Sequence, residues 1–202
     1  QAVNAAMIDP HWTAAIEQQG KSYSNLPPAI VVDIDETILD NSRAQAQTVK
    51  DRDIYDATEK KWNEWVDLAS ATPIPGSLEF LHWAIWQHPQ ITVFYLTNRA
   101  AAVETKTREN LKKFSYPLKE SVDVVMTKGE GPQDSWDKSA RRAKLAESYR
   151  IILLVGDDLL LDCKQLALEA KRAGQIEAAG KIAKAAMPLA KKDQTLLGDL
   201  NK

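Results

Sequence analysis

Residues 29–42 read AIVVDIDETILDNS, and this stretch decides the fold. Residues 29–35, AIVVDID, read as the first strand: an unbroken apolar run, Ala29 to Val32, leads into Asp33 and Asp35, one residue apart, and the chain then turns polar. An apolar run without polar alternation is the pattern of a strand covered on both faces, as in a parallel sheet. Two acids separated by one residue at its end lie on the same side of an extended chain. Capping of the next element would account for one such acid; the pair in a D-x-D-x-T frame points to chemistry.

Working outward, the same kind of strand recurs. Residues 91–99, ITVFYLTNR, form a second apolar run that ends on Thr97, Asn98 and Arg99. Residues 150–158, RIILLVGDD, form another, ending on Asp157 and Asp158, with Asp162 close behind, and SVDVVMT (121–127) reads as a shorter one. Between them lie helical patterns: SLEFLHWAIWQH (77–88) with Ser77 as its expected N-cap, VETKTRENLKKF (103–114) and DKSARRAKLAESY (137–149). A short helix is expected within residues 1–20, and further helix in the Ala- and Lys-rich chain after Leu166. Alternating strands and helices predict an α/β fold, a three-layer, Rossmann-like parallel sheet, whose ligands gather beyond the carboxyl ends of the strands. Residues 43–90, polar and helix-friendly, with Trp62 and Trp65 at i, i+3, read as a small helical cap inserted after the first strand. The core domain is then residues 1–42 and 91–202.

The 202 residues are 44% hydrophobic and 27% charged, an ordinary globular balance. A net charge of −2 excludes a general attraction to nucleic acid polymers, and no apolar run reaches the roughly 18 residues of a membrane span. The single cysteine, Cys163, excludes an internal disulfide. It is followed six residues later by Glu169 where a cysteine-dependent phosphatase needs arginine. No histidine has an arginine beside it, and no GxxxxGKS loop is present. His11, His82 and His88 show no metal-ligand spacing.

An aspartate carboxylate can attack phosphorus and form an aspartyl-phosphate, and a second acid two residues on can protonate the departing oxygen and then activate water. The hydroxyl and amides of Thr97 and Asn98 are donors for phosphoryl oxygens. Acids converging from two strand ends repel one another unless a cation resolves them, and magnesium is the hard cation that bridges carboxylates to phosphate. Lys138 would balance the remaining negative charge.

D-x-D-x-T, then TNR, then lysine, then GDD is an order that resembles the haloacid dehalogenase superfamily of phosphohydrolases. DIDETILDNS, KWNEWVD with PIPGSLEF, VFYLTNR, and DKSARRAKLAE leading to VGDD are similar more narrowly to the class C bacterial acid phosphatases, over residues 29–163. The resemblance implies a magnesium-dependent acid phosphatase acting on phosphomonoesters, nucleoside monophosphates among them. It implies Asp33 as nucleophile, and Asp35 as general acid and base that also lends its main-chain carbonyl to the metal. Thr97 and Asn98 would bind phosphate, Lys138 would stabilise it, and Asp157 would ligate magnesium together with Asp158 or Asp162. Trp62 and Trp65 are candidates for a substrate-facing wall or, equally, for core packing. The resemblance further implies a periplasmic or outer-membrane location, through a lipid anchor absent from this chain, and a homodimer. Two departures stand out. The last motif reads GDDLLLDC rather than the family's GDN, and RAQA (43–46) replaces the aromatic suited to stacking on a nucleobase. The alternative reading is a non-enzymatic storage or phosphate-binding protein of the same fold; the retained Asp33 speaks against it.

Overall fold

The computed structural model describes residues 1–51, 58–130 and 137–157. Asp158, Asp162, Cys163 and the helices expected after Leu166 lie outside the described residues. Residues 1–157 form one compact unit. In chain order it comprises α1 (Ala2–Ile8), β1 (Pro28–Val32), β2 (Leu39–Asp40), α2 (Ser42–Asp51) and α3 (Thr58–Asp67). There follow β3 (Thr72–Pro73), α4 (Ser77–Gln87), β4 (Thr92–Ala100), α5 (Glu104–Lys113), β5 (Val125–Lys128), α6 (Ser139–Ser148) and β6 (Arg150–Val155), with short 3-10 turns at Ile16–Gln18 and Ala101–Val103.

Four strands make one parallel sheet in the order β5-β4-β1-β6, flanked by helices. β1 is an inner strand, and this explains its composition. Every residue from Pro28 to Val32 is buried, so a polar side chain on either face would lose its water without a partner. It pairs with β4 from Ala29↔Thr92 to Val32↔Tyr95, and with β6 from Pro28↔Arg150 to Val32↔Val155. Ile30, Ile34, Phe94, Tyr95, Ile151 and Ile152 centre the core, to which α4 contributes Leu81 and Ala84.

Two polar devices tie the N-terminal region to β6 and α6. The buried Arg150 guanidinium donates to the carbonyls of Ala6 and Asp9, both at 2.9 Å, which satisfies the carboxyl end of α1. On α6, buried Arg142 donates to Glu17 at 2.7 Å.

Two expectations are corrected. The first strand does not run to Asp35 but stops at Val32, and Asp35 makes only an isolated bridge to Leu39. Ser77 does not cap α4. It is the first helical residue and its hydroxyl donates to the Ile74 carbonyl at 2.7 Å, while Gly76, at φ 85°, occupies the cap position. The left-handed backbone needed there suits glycine, which lacks the Cβ that other residues would crowd against the chain. The two-residue strands β2 and β3 pair antiparallel, Leu39↔Pro73 and Asp40↔Thr72, and join the chain after β1 to the chain before α4.

Candidate active site

Beyond Val32 the chain closes a tight turn at the carboxyl end of the sheet. The Ile34 carbonyl accepts the amides of Ile38 and Leu39 at 3.0 and 2.9 Å, and Glu36 adopts φ 54°. The left-handed conformation costs a non-glycine residue on the order of 1–2 kcal/mol, and here the amide of Glu36 is bonded to the Leu39 carbonyl at 3.0 Å. Ile34 and Ile38 are buried and anchor the turn in the core. Ile34 faces the core, while Asp33 and Asp35 on either side of it reach Lys138 and Arg99.

Asp33 sits where β1 and β6 end together, its amide donating to the Val155 carbonyl at 2.8 Å. Its Oδ2 lies 2.5 Å from the Lys138 ammonium, and its Oδ1 accepts the Ile34 amide at 2.7 Å. Burial raises the Asp33 carboxyl above its ordinary value, and the nearby Asp35 charge adds to this; Lys138 and the Ile34 amide pull it down. Lys138 precedes the first turn of α6, whose Ser139 amide is capped by the Asp137 carboxylate at 2.8 Å. Ammonium and helix N-terminus both favour an anion at that point.

Asp35 is held from three sides. Arg99, fully buried on β4, reaches its Oδ1 with Nη2 at 2.7 Å and Nε at 3.0 Å. The Asn41 amide donates to the same oxygen at 3.0 Å. The Thr97 hydroxyl stands 3.4 Å from Oδ2 and itself accepts the Arg99 amide at 3.1 Å. Asn98, next along β4, accepts at its Oδ1 a hydrogen bond from Arg141 at 2.6 Å, and Arg141 also donates to the Thr97 carbonyl. Thr37 closes the remaining gap: its hydroxyl oxygen accepts the Asp157 amide at 3.0 Å, binding the turn after β1 to the end of β6. Glu36 belongs to the same neighbourhood. Burial raises its carboxyl, and the charges of Asp35 and Asp157 contribute.

The fold thus brings Asp33, Asp35, Thr97, Asn98, Lys138 and Asp157 to one end of the sheet. Among the described residues no ready-made cluster of three or more His, Cys, Asp or Glu side chains surrounds a metal position. Trp62 and Trp65 are both half-buried on α3. Trp65 packs against the core and directs its indole N–H to the Asn41 side-chain oxygen at 2.8 Å. Sequence reading assigned no part to Asn41, Arg99 or Arg141. Each stood next to a motif: Asn41 in DNS, Arg99 directly after Thr-Asn, and Arg141 one helical turn past Lys138. His82, away from these residues in sequence, meets the Ser115 carbonyl at 2.9 Å.

Fold and site together define the class: a phosphatase of the haloacid dehalogenase superfamily. The family model described as HAD superfamily, subfamily IIIB (acid phosphatase), matches residues 5–179, and the chain belongs to that family. Among solved structures it is similar to the class C acid phosphatase from Bacillus anthracis with tungstate bound. That likeness has 27% identity and a TM-score of 0.59, over 85% of this chain and 70% of the other. A second structure of the class C acid phosphatase from Bacillus anthracis matches at 28% identity and a TM-score of 0.54, over 75% of this chain and 57% of the other.

Proposed function

We propose that the protein hydrolyses phosphomonoesters through an aspartyl-phosphate on Asp33. The observation that carries this reading is the 2.5 Å pairing of the Asp33 carboxylate with Lys138 at the carboxyl end of the sheet, beside a second acid held by its own donors. An Asp33 oxygen attacks phosphorus as the bond to the alcohol oxygen breaks, and that oxygen takes a proton from Asp35. Water then attacks phosphorus, gives its proton to Asp35, and releases inorganic phosphate with Asp33 restored. Lys138, the Thr97 region and the amide end of Asn98 would hold the phosphoryl oxygens. That a class C acid phosphatase has been solved with tungstate, a tetrahedral oxyanion, agrees with an anion site of this kind.

The donors at this end of the sheet fit a hard divalent cation, magnesium. Asp33 and Asp157 offer carboxylates and Asp35 a main-chain carbonyl, all oxygen, and Thr37 ties the segments that carry them. Asp158 and Asp162 are the further candidate ligands. The ion would supply charge neutralisation at the nucleophile and polarisation of a phosphoryl oxygen. Within the proposed insertion of residues 43–90, α4 packs on the core, which leaves α2 and α3 as the proposed cap, with Trp62 the aromatic on α3 to face substrate, since the indole N–H of Trp65 is committed to Asn41.

The test is hydrolysis of an aryl phosphate and of several nucleoside monophosphates, with and without magnesium, from acid to neutral pH. Magnesium-dependent turnover that disappears in Asp33→Asn is expected. Retained turnover in that variant overturns the nucleophile, and tungstate binding without turnover of any ester by the intact protein favours a phosphate-binding role.

A further inference from the structure

The two oxygens of the Asp35 carboxylate are not equivalent. Oδ1 receives Arg99 Nη2 at 2.7 Å, Arg99 Nε at 3.0 Å and Asn41 Nδ2 at 3.0 Å. Oδ2 has only a longer approach from Arg99 Nε at 3.2 Å and the Thr97 hydroxyl at 3.4 Å. A carboxylate oxygen carries two in-plane lone pairs. Arg99 Nη2 and Asn41 Nδ2 fill those of Oδ1, and the Arg99 Nε hydrogen is shared between the two oxygens. The other neighbour of Oδ2 is the Thr97 hydroxyl, which can turn from donor to acceptor, so Oδ2 and not Oδ1 has room for a proton.

The arrangement is rigid because each donor is fixed in turn. The Arg99 side chain is 0% exposed and its Nη1 donates to Thr107 at 3.3 Å, whose hydroxyl donates to the Val103 carbonyl at 3.0 Å. Asn41 is fully buried, and an amide could present either end to Asp35. An indole nitrogen can only donate. Trp65 Nε1, 2.8 Å from the amide, therefore requires the Asn41 oxygen on its own side and turns Nδ2 toward the carboxylate.

We infer that Arg99 and Asn41 are positioning residues that make Oδ2 of Asp35 the atom through which protons pass, with Trp65 on α3 setting the orientation of Asn41. This rests on the acid/base reading of Asp35 above. In the first step Oδ2–H gives its proton to the leaving alcohol oxygen as the P–O bond breaks. In the second, Oδ2 takes a proton from water as the water oxygen bonds to phosphorus. The carboxyl ends each cycle as it began.

The experiment compares kcat/KM, which reports the steps through P–O cleavage, for 4-nitrophenyl phosphate and for a simple alkyl phosphate, with magnesium present. A nitrophenolate leaves without much help from an acid; an alkoxide does not. Asn41→Ala should lower kcat/KM for the alkyl ester by about 100-fold, within the range that general acid catalysis contributes. The loss on the nitrophenyl ester should be roughly threefold or less, with inhibition by inorganic phosphate nearly unchanged. Trp65→Phe should show the same selectivity at smaller size, and Arg99→Lys the same at larger size. Should Arg99→Lys fail to fold, the other two variants decide. Equal losses on both esters, or weakened phosphate inhibition without selectivity, would make these residues merely structural and overturn the inference alone. A wild-type protein that turns over neither ester overturns the acid/base reading and this inference together.

Discussion

Lys138 Nζ lies 2.5 Å from Asp33 Oδ2, and both side chains are largely withdrawn from water. The ammonium offsets part of what burial does to the Asp33 carboxyl. Lys138→Ala removes this compensation, so the carboxyl rises further and the phosphoryl site loses a donor. Turnover measured with saturating magnesium should fall roughly 100-fold, the usual cost of one donor to a developing anion. Lys138→Arg, which keeps the charge, should recover part of it.

Asp35→Asn separates binding from chemistry. The carboxamide is close in size and keeps contacts to Arg99, but it cannot carry a proton for the leaving group or accept one from water. Inhibition by phosphate should persist, while steady-state turnover of both esters slows by about 100-fold or more, because hydrolysis of the aspartyl-phosphate loses its base. The burst on 4-nitrophenyl phosphate, whose leaving group needs little help from an acid, should be nearly kept. Wild-type rates in this variant would remove the acid/base assignment.

Arg142 depends on Glu17. Its side chain is 2% exposed and its Nε donates to Glu17 at 2.7 Å. Glu17→Ala leaves a buried guanidinium without its carboxylate and should cost about 3–5 kcal/mol in urea denaturation. The double variant Glu17→Ala with Arg142→Met should recover much of that loss, because the stranded charge goes with it.

Tyr95, fully buried on β4, donates to the Pro117 carbonyl at 3.0 Å, and burial pushes its phenol far above the ordinary range. A raised pKa in the folded state means that its stabilisation is complete below the unfolded value, about 10. Above that pH the unfolded chain releases the proton and the folded chain does not. Stability should therefore decline above about pH 10, and by up to about 1.4 kcal/mol per pH unit from this residue. Tyr95→Phe should flatten that part of the alkaline stability curve while lowering neutral stability by about 1 kcal/mol for the lost hydrogen bond.

The parallel sheet was legible because β1 and β4 are inner strands and the first half of β6 is buried, and continuous apolar runs are the direct signature of that burial. β2 and β3, two residues each, were not legible: Leu39 pairs with Pro73 and Asp40 with Thr72 through the backbone, which leaves no periodicity to read. The cap of α4 was misread because Ser77 has the right chemistry, while the backbone at Gly76 had already made the turn. At the site, the residues with intrinsic reactivity stood out at strand ends. Those that orient them did not. Asn41 and Arg99 act on Asp35 only because β2 and β4 bring them there, and the Trp65 indole joins from α3 across 24 positions of chain.

Asp33 leaves the ribosome early, yet its surroundings are completed by the last strand described here. The Thr37–Asp157 bond closes a separation of 120 residues, and β1 cannot have its second neighbour until Arg150–Val155 has been made. Long loop closures of this kind come late in folding. A nascent chain that ends before β6 carries the reactive carboxylate without Lys138 fixed against it or Asp157 tied beside it. The fold is its own timing device: the surroundings of Asp33 are assembled only once β6 has been made.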